Sequence, residues 1–189
     1  YVVVLSDVLA RVMRFGGRFI GGHPLWAGQF AVLAACLWAF VYVYRLARSA
    51  LGDADRAAWA VALLAAYPFA VFYSAVYTEA IFLLCAAGAF YHVGRGEYVR
   101  TAAFALVCGF ARPNGFLLAV PIALVALWPA SVVAWRDEGS GLGARVLRAL
   151  RASLPAMAAA SAAVVGVVIF SAFIYTLTGR PLAWLEAHA

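Results

Sequence analysis

Apolar runs separated by short polar interruptions organise this chain. The first clear run covers residues 26–46 and closes on Arg45 and Arg48; it meets the roughly 20-residue requirement for a helix that crosses a bilayer. A short polar loop around Gly52-Asp53-Ala54-Asp55-Arg56 follows, then a second run over residues 57–72. Pro68 interrupts that run, so its last turn is expected to kink or end there. A polar knot at residues 73–79 leads into a third run over 80–93, which Gly94-Arg95-Gly96-Glu97 breaks. Residues 101–129 read either as one long helix or as two short ones, 101–111 and 116–128, turning at Pro113-Asn114-Gly115. An arginine-rich loop over 136–151, a last run over 154–177 and a polar outer-face loop over 178–189 complete the pattern. Residues 1–19 differ: Val4, Leu5, Val8, Leu9, Val12 and Met13 recur at helical spacing with Arg11, Arg14 and Arg18 between them. That is the pattern of an amphipathic interfacial helix.

Composition fixes the solvent. Of the 189 residues 67% are hydrophobic and 12% charged, with a mean hydropathy of +0.95. Soluble domains are about half apolar and a quarter charged, so this much apolar surface calls for lipid. The expected fold is all-α: a single polytopic transmembrane bundle of about five to seven helices, some too short to span, since lipid leaves unpaired backbone groups no solvent. The net charge of +6 comes from arginine alone, without lysine. In a membrane protein this excess sets orientation and contacts membrane lipids; it does not point to nucleic acid. With residues 101–129 read as two helices, nine of the fourteen arginines fall on one side, which the arginine bias assigns to the cytoplasm. The one-helix reading moves the 136–151 cluster outside, so two helices are favoured. Alanine- and arginine-rich usage points to a GC-rich genome and a multi-pass protein of a bacterial cell membrane. Tyr1 is not a start methionine and residues 186–189 stop within a polar stretch, so the chain reads as part of a longer protein.

Glu79 and Arg112 are nearly the only charges that the apolar pattern does not push into an aqueous loop. A charge at bilayer depth is expensive and is normally paired and functional. The two-helix reading brings residues 73–79, 112–115 and 178–189 to one face. Glu79 reads either as a residue capping the helix that follows, with Thr78 as a second capping candidate, or as a carboxylate lining a cavity. Tyr73, Ser74 and Tyr77 would supply hydroxyls beside it. Arg112 reads either as a snorkelling arginine or as a phosphate clamp whose guanidinium offers paired donors. Asn114 is a turn residue or a substrate ligand. Cys36, Cys85 and Cys108 lie in apolar runs without metal-ligand spacing and read as packing residues. His23 and His92 have no spacing to a second ligand. No metal cluster, Gly-rich phosphate loop or Ser-His-Asp arrangement is visible, so neither metal nor cofactor is expected.

Pro68, the block Phe72-Tyr73-Ser74-Ala75-Val76-Tyr77-Thr78-Glu79, and then Arg112-Pro113-Asn114-Gly115 opening another helix resemble the PIG-V-type mannosyltransferases. These are multi-spanning GT-C glycosyltransferases. The ending Thr178-Gly179-Arg180-Pro181-Leu182-Ala183-Trp184-Leu185-Glu186-Ala187-His188 is similar to a later outer loop of that family, with Arg180 where aspartate is usual. The resemblance implies transfer of mannose, or a related hexose, from a polyprenyl-phosphate donor to a glycan or glycolipid acceptor at the outer face. It places the catalytic base in a loop upstream of this chain. Tyr73, Ser74, Tyr77, Thr78, Glu79, Arg112 and Asn114 then become substrate-binding residues. A multi-spanning transporter or flippase-like protein using the same polar pocket is the alternative; it would show internal repeats and mid-bilayer polar groups, which this sequence lacks.

Overall fold

The computed structural model describes Phe15 and residues 24–75, 77–135 and 141–182. Among the described residues the protein is all-helical, with no strand. The elements are α1 (Pro24–Leu51), α2 (Ala54–Ala66), a 3-10 turn Pro68–Ala70, α3 (Val71–Ser74), α4 (Glu79–Val93), α5 (Tyr98–Ala111), a 3-10 segment Pro113–Leu118, α6 (Ala119–Trp135) and α7 (Leu142–Thr178). Two stretches, Leu25–Leu51 and Leu142–Thr178, are long and apolar enough to cross a membrane.

Local chemistry sets most boundaries. Asp53 caps α2, its Oδ1 accepting from the Arg56 backbone N–H at 2.8 Å. Tyr67 is extended because Pro68 follows it, so α2 stops at Ala66. The chain there bends by 74° into Pro68–Ser74. The run expected over 57–72 is therefore a broken one. Pro113 likewise forces Arg112 out of the helical region, to φ −148° and ψ 136°, and ends α5. Residues 101–129 thus fold as two helices with a turn between them.

Pro155 does not stop a helix. Residues 145–151, expected in a loop, are helical, and the last helix begins at Leu142, twelve residues before the expected 154. Alanine, leucine and arginine around the proline are strong helix formers. Ser153 and Ala156, on either side of it, are buried and hold the helix against its neighbours. Of the expected loop Gly141 is non-helical, and residues 136–140 lie outside the described residues. The interfacial helix expected over 1–19 also lies outside them, apart from exposed Phe15. In the expected outer loop, Thr178 ends α7, residues 179–182 form a turn, and 183–189 lie outside the described residues.

Helix α1 packs on α4, α4 on α5, α5 on α7, and α7 on α6. The short pair α4–α5 therefore sits between the two long helices. At a rise of 1.5 Å per residue each short helix is about 22 Å long, less than the roughly 30 Å hydrocarbon core, and such helices need sheltering neighbours. The core is built from small side chains: Cys85 and Ala89 of α4, Ala105 and Cys108 of α5, Ala160 and Ala163 of α7, with Ile122 of α6. The three cysteines are free and buried, as packing residues should be. Trp26, Leu37, Trp38, Trp59, Leu63, Leu124 and Trp128 instead face outward. Small residues inside and large apolar ones outside is the arrangement of helices packed in lipid.

Candidate functional site

The helical pair α4–α5 has an open end and a closed end, and each is held by an ion pair. At the open end the chain leaves α3 through extended Ala75 and enters α4 at Thr78. The Thr78 side chain makes no capping bond. Glu79 is thus the first residue of α4, at the positive end of that helix, and Arg112 stands just past the negative end of α5. Both charges suit the helix ends they occupy.

The two side chains meet directly: Arg112 Nη2 donates to Glu79 Oε1 at 2.7 Å. Glu79 is 23% exposed and Arg112 38%. The guanidinium carbon also lies 5.9 Å from the centre of the Phe82 ring. A pair this far from full burial contributes on the order of 1 kcal/mol, whereas removing one partner leaves the other charge poorly solvated and costs more. Glu79 Oε2 is buried and has no hydrogen-bond partner. An unsatisfied carboxylate oxygen is rare in folded proteins and calls for a ligand or water to complete it. One oxygen of Glu79 is therefore held by arginine, while the other is buried and meets no donor among the described residues.

The Arg112-Pro113-Asn114-Gly115 turn is packed tightly against α5. Pro113 is buried, the Gly115 N–H donates to the Arg112 carbonyl at 2.8 Å, and a Cβ on Gly115 would collide with the Cys108 carbonyl. This fixes the root of Arg112. Among the described residues the other expected ligands make no hydrogen bond to the pair. Asn114 is exposed at the turn. Tyr73 packs on Val32, Cys36 and Ala80. Ser74 Oγ donates to the Val71 carbonyl at 2.9 Å, and its own carbonyl accepts from Gln29 Nε2. Tyr77 is exposed, edge-on to Phe72, and Thr78 is buried. The hydroxyl partners expected for Glu79 from Tyr73, Ser74 and Tyr77 do not form.

The closed end holds a network that the sequence reading left unassigned. Residues 92–97 form a Schellman turn: the Glu97 N–H donates to the His92 carbonyl at 2.9 Å and the Gly96 N–H to the Val93 carbonyl at 3.0 Å. Gly96 sits at φ +72°, where a side chain would be strained. The turn lays Glu97 over His92. His92 Nδ1 donates to Glu97 Oε2 at 2.6 Å, and Tyr42 Oη lies 3.1 Å from His92 Nε2. Arg100 Nη1 donates to Glu97 Oε2 at 2.7 Å and Arg95 Nε to Oε1 at 3.3 Å. These donors, the His92 bond first and then Arg100, hold the Glu97 carboxyl well below its usual range, at about 2. A histidine in the last turn of a helix, followed five residues later by glutamate across a Gly-x-Gly turn, is the signal that could have exposed this network.

Comparison with family models, with curated proteins and with solved structures gives no match for this chain.

Proposed function

We propose that this membrane protein is a glycosyltransferase that moves mannose, or a related hexose, from a polyprenyl-phosphate donor to a glycan or glycolipid acceptor at the outer face. The observation that carries the reading is the Glu79–Arg112 pair with its unpartnered Oε2. A sugar offers hydroxyl donors to that oxygen, and a lipid phosphate offers acceptors to the guanidinium N–H groups that Glu79 leaves unused. The pair thus matches both halves of a phosphosugar: carboxylate for the sugar, arginine for the phosphate. Its place at one end of a helix bundle is where a lipid-linked donor presents its headgroup. The resemblance of residues 68–79 and 112–115 to the PIG-V-type transferases supports the same substrate class. In this reading Glu79 and Arg112 bind and orient the donor, and the base that deprotonates the acceptor is assigned to neither.

The test is transfer of labelled mannose from polyprenyl-phosphate mannose into lipid or glycan, in membranes carrying the protein. Transfer above that of control membranes, lost with Glu79→Gln, is expected. Membranes that show no transfer, but in which the protein carries sugar or lipid across the bilayer, would point to transport through the 74° break between α2 and α3 instead.

A further inference from the structure

The end of the bundle opposite Glu79 and Arg112 carries more positive charge than its own network uses. Arg45 and Arg48 lie one turn apart on α1, exposed, and among the described residues neither side chain has a hydrogen-bond or ion-pair partner. Arg95 on the α4–α5 turn and Arg100 in the first turn of α5 stand across from them, oriented by the single carboxylate of Glu97. Arg45, Arg95 and Arg100 thus share one space with the single carboxylate of Glu97, and Arg48 lies beside it.

These residues surround space. A cleft of about 410 Å³ is lined by Arg45, Arg95, Arg100 and Glu97, with Tyr42 and Tyr91 in its wall. A second hollow of about 320 Å³ shares Arg45, Arg95 and Tyr91 with it and reaches Arg48. The second hollow is walled on its apolar side by Leu46 and Phe90. The floor of the cleft is stiff: His92 is buried, bonded on one side to Tyr42 and on the other to Glu97. Arg95 lies over the Tyr91 ring, 5.4 Å from its centre, which fixes the direction of its fork. Prearranged arginine forks around a small cleft are suited to phosphate oxygens.

We infer that the cleft and the hollow beside it, which share Arg45, Arg95 and Tyr91, form a second binding site, which holds the phosphate of an anionic lipid headgroup with its acyl chains running past Leu46 and Phe90. The arginine bias places this end at the cytoplasmic leaflet, where anionic lipids concentrate and basic pockets between helices meet their headgroups. Arg45 and Arg48 supply the charge that the phosphate neutralises; Arg95 and Arg100, tethered through Glu97, supply fixed donors. The site is separate from the proposed sugar chemistry and needs no turnover to be seen. Glu97 stays ionised at any working pH, so the tether does not slacken near neutrality.

The experiment uses the full chain in nanodiscs of phosphatidylcholine with increasing phosphatidylglycerol, reading retained lipid by native mass spectrometry. Wild type should retain phosphatidylglycerol over phosphatidylcholine. Arg45→Gln and Arg48→Gln, which break no bond in the fold, should each weaken that preference roughly fivefold to tenfold. Arg56→Gln, an arginine outside the cleft, should leave it unchanged. Equal losses from Arg56→Gln and Arg45→Gln would overturn the site, since diffuse charge would then explain retention. A parallel arm titrates inorganic phosphate. Arginine-dependent phosphate binding with no preference among lipids would overturn the lipid assignment in favour of a soluble anion. Melting temperatures of the variants equal to that of wild type confirm that the comparison is made on folded protein.

Discussion

Glu79 has two carboxylate oxygens in different states, one bonded to Arg112 and one buried without a partner. A structural clasp needs only the first; a binding site needs the second as well. Exchanging the charges separates these roles. Glu79→Arg with Arg112→Glu keeps a pair across the open end of α4–α5, so it should recover part of the stability lost by either single change, the rest being lost because each charge then opposes its helix end. It should not recover sugar transfer, because the carboxylate and guanidinium then stand in each other's places. Melting temperature in detergent and transfer in membranes, measured on the same preparations, check this. Recovery of both would make the pair a clasp alone. Glu97 carries a different prediction. Its folded value, about 2, lies below its ordinary 4.5, so it contributes stability that is complete above about 4.5 and is lost as pH falls toward 2. Glu97→Gln should flatten the melting profile over that window. Glu79 and Arg112 were legible in the sequence because charge inside an apolar run has few explanations. His92 was not, because its partner is set by the Gly96 turn and by Tyr42, fifty residues away.

Prolines 68, 113 and 155 show how far local rules reach at the scale of elements. Pro68 and Pro113 end helices because the residue before each is free to become extended. Pro155 lies inside α7, where packing of Ser153 and Ala156 outweighs the lost backbone bond, and no local pattern reveals that burial. The contact of α5 with α7 is also invisible in the sequence, since glycine in an apolar run has many uses. A Cβ at Gly109 would strike the Ala163 carbonyl, and one at Gly166 the Leu106 carbonyl. Backbone atoms cannot turn aside as side chains do, so the helices would have to separate. Gly166→Ala should therefore destabilise the protein by about 1–3 kcal/mol, the usual cost of overpacking. Gly143→Ala, in the same helix with open space around it, should be neutral or stabilising by up to about 1 kcal/mol. Melting curves of the two variants side by side check the contact, and equal effects would deny it.

The whole molecule has two polar ends joined by an apolar middle. One end holds Glu79 and Arg112; the other, about thirteen residues or 20 Å along α4, holds the His92 network. All-helical architecture, lipid as solvent and the meeting of Glu79 with Arg112 follow from apolar periodicity and arginine placement. The order in which the helices pack does not, because it depends on small-residue contacts. Sidedness is directly testable. Asn114→Cys should react from outside intact cells with a membrane-impermeant thiol reagent, and Asp55→Cys only after permeabilisation. The three native cysteines are buried and give a low background. Labelling of both positions from the same side would refute the topology.

The central claim is that Arg112 reads the phosphate of a lipid-linked sugar. Donor dependence of transfer in the Arg112 variants tests it most directly. Losing a charge-assisted contact to phosphate costs about 1.5–3 kcal/mol, so Arg112→Ala should raise the donor concentration at half-maximal rate roughly tenfold to a hundredfold. Arg112→Lys should recover part of that, because an ammonium restores the charge but not the fork. Acceptor dependence should change little. Half-saturation by donor left unchanged in Arg112→Ala, in protein still folded at the assay temperature, would contradict the claim and leave Arg112 as the partner of Glu79 only.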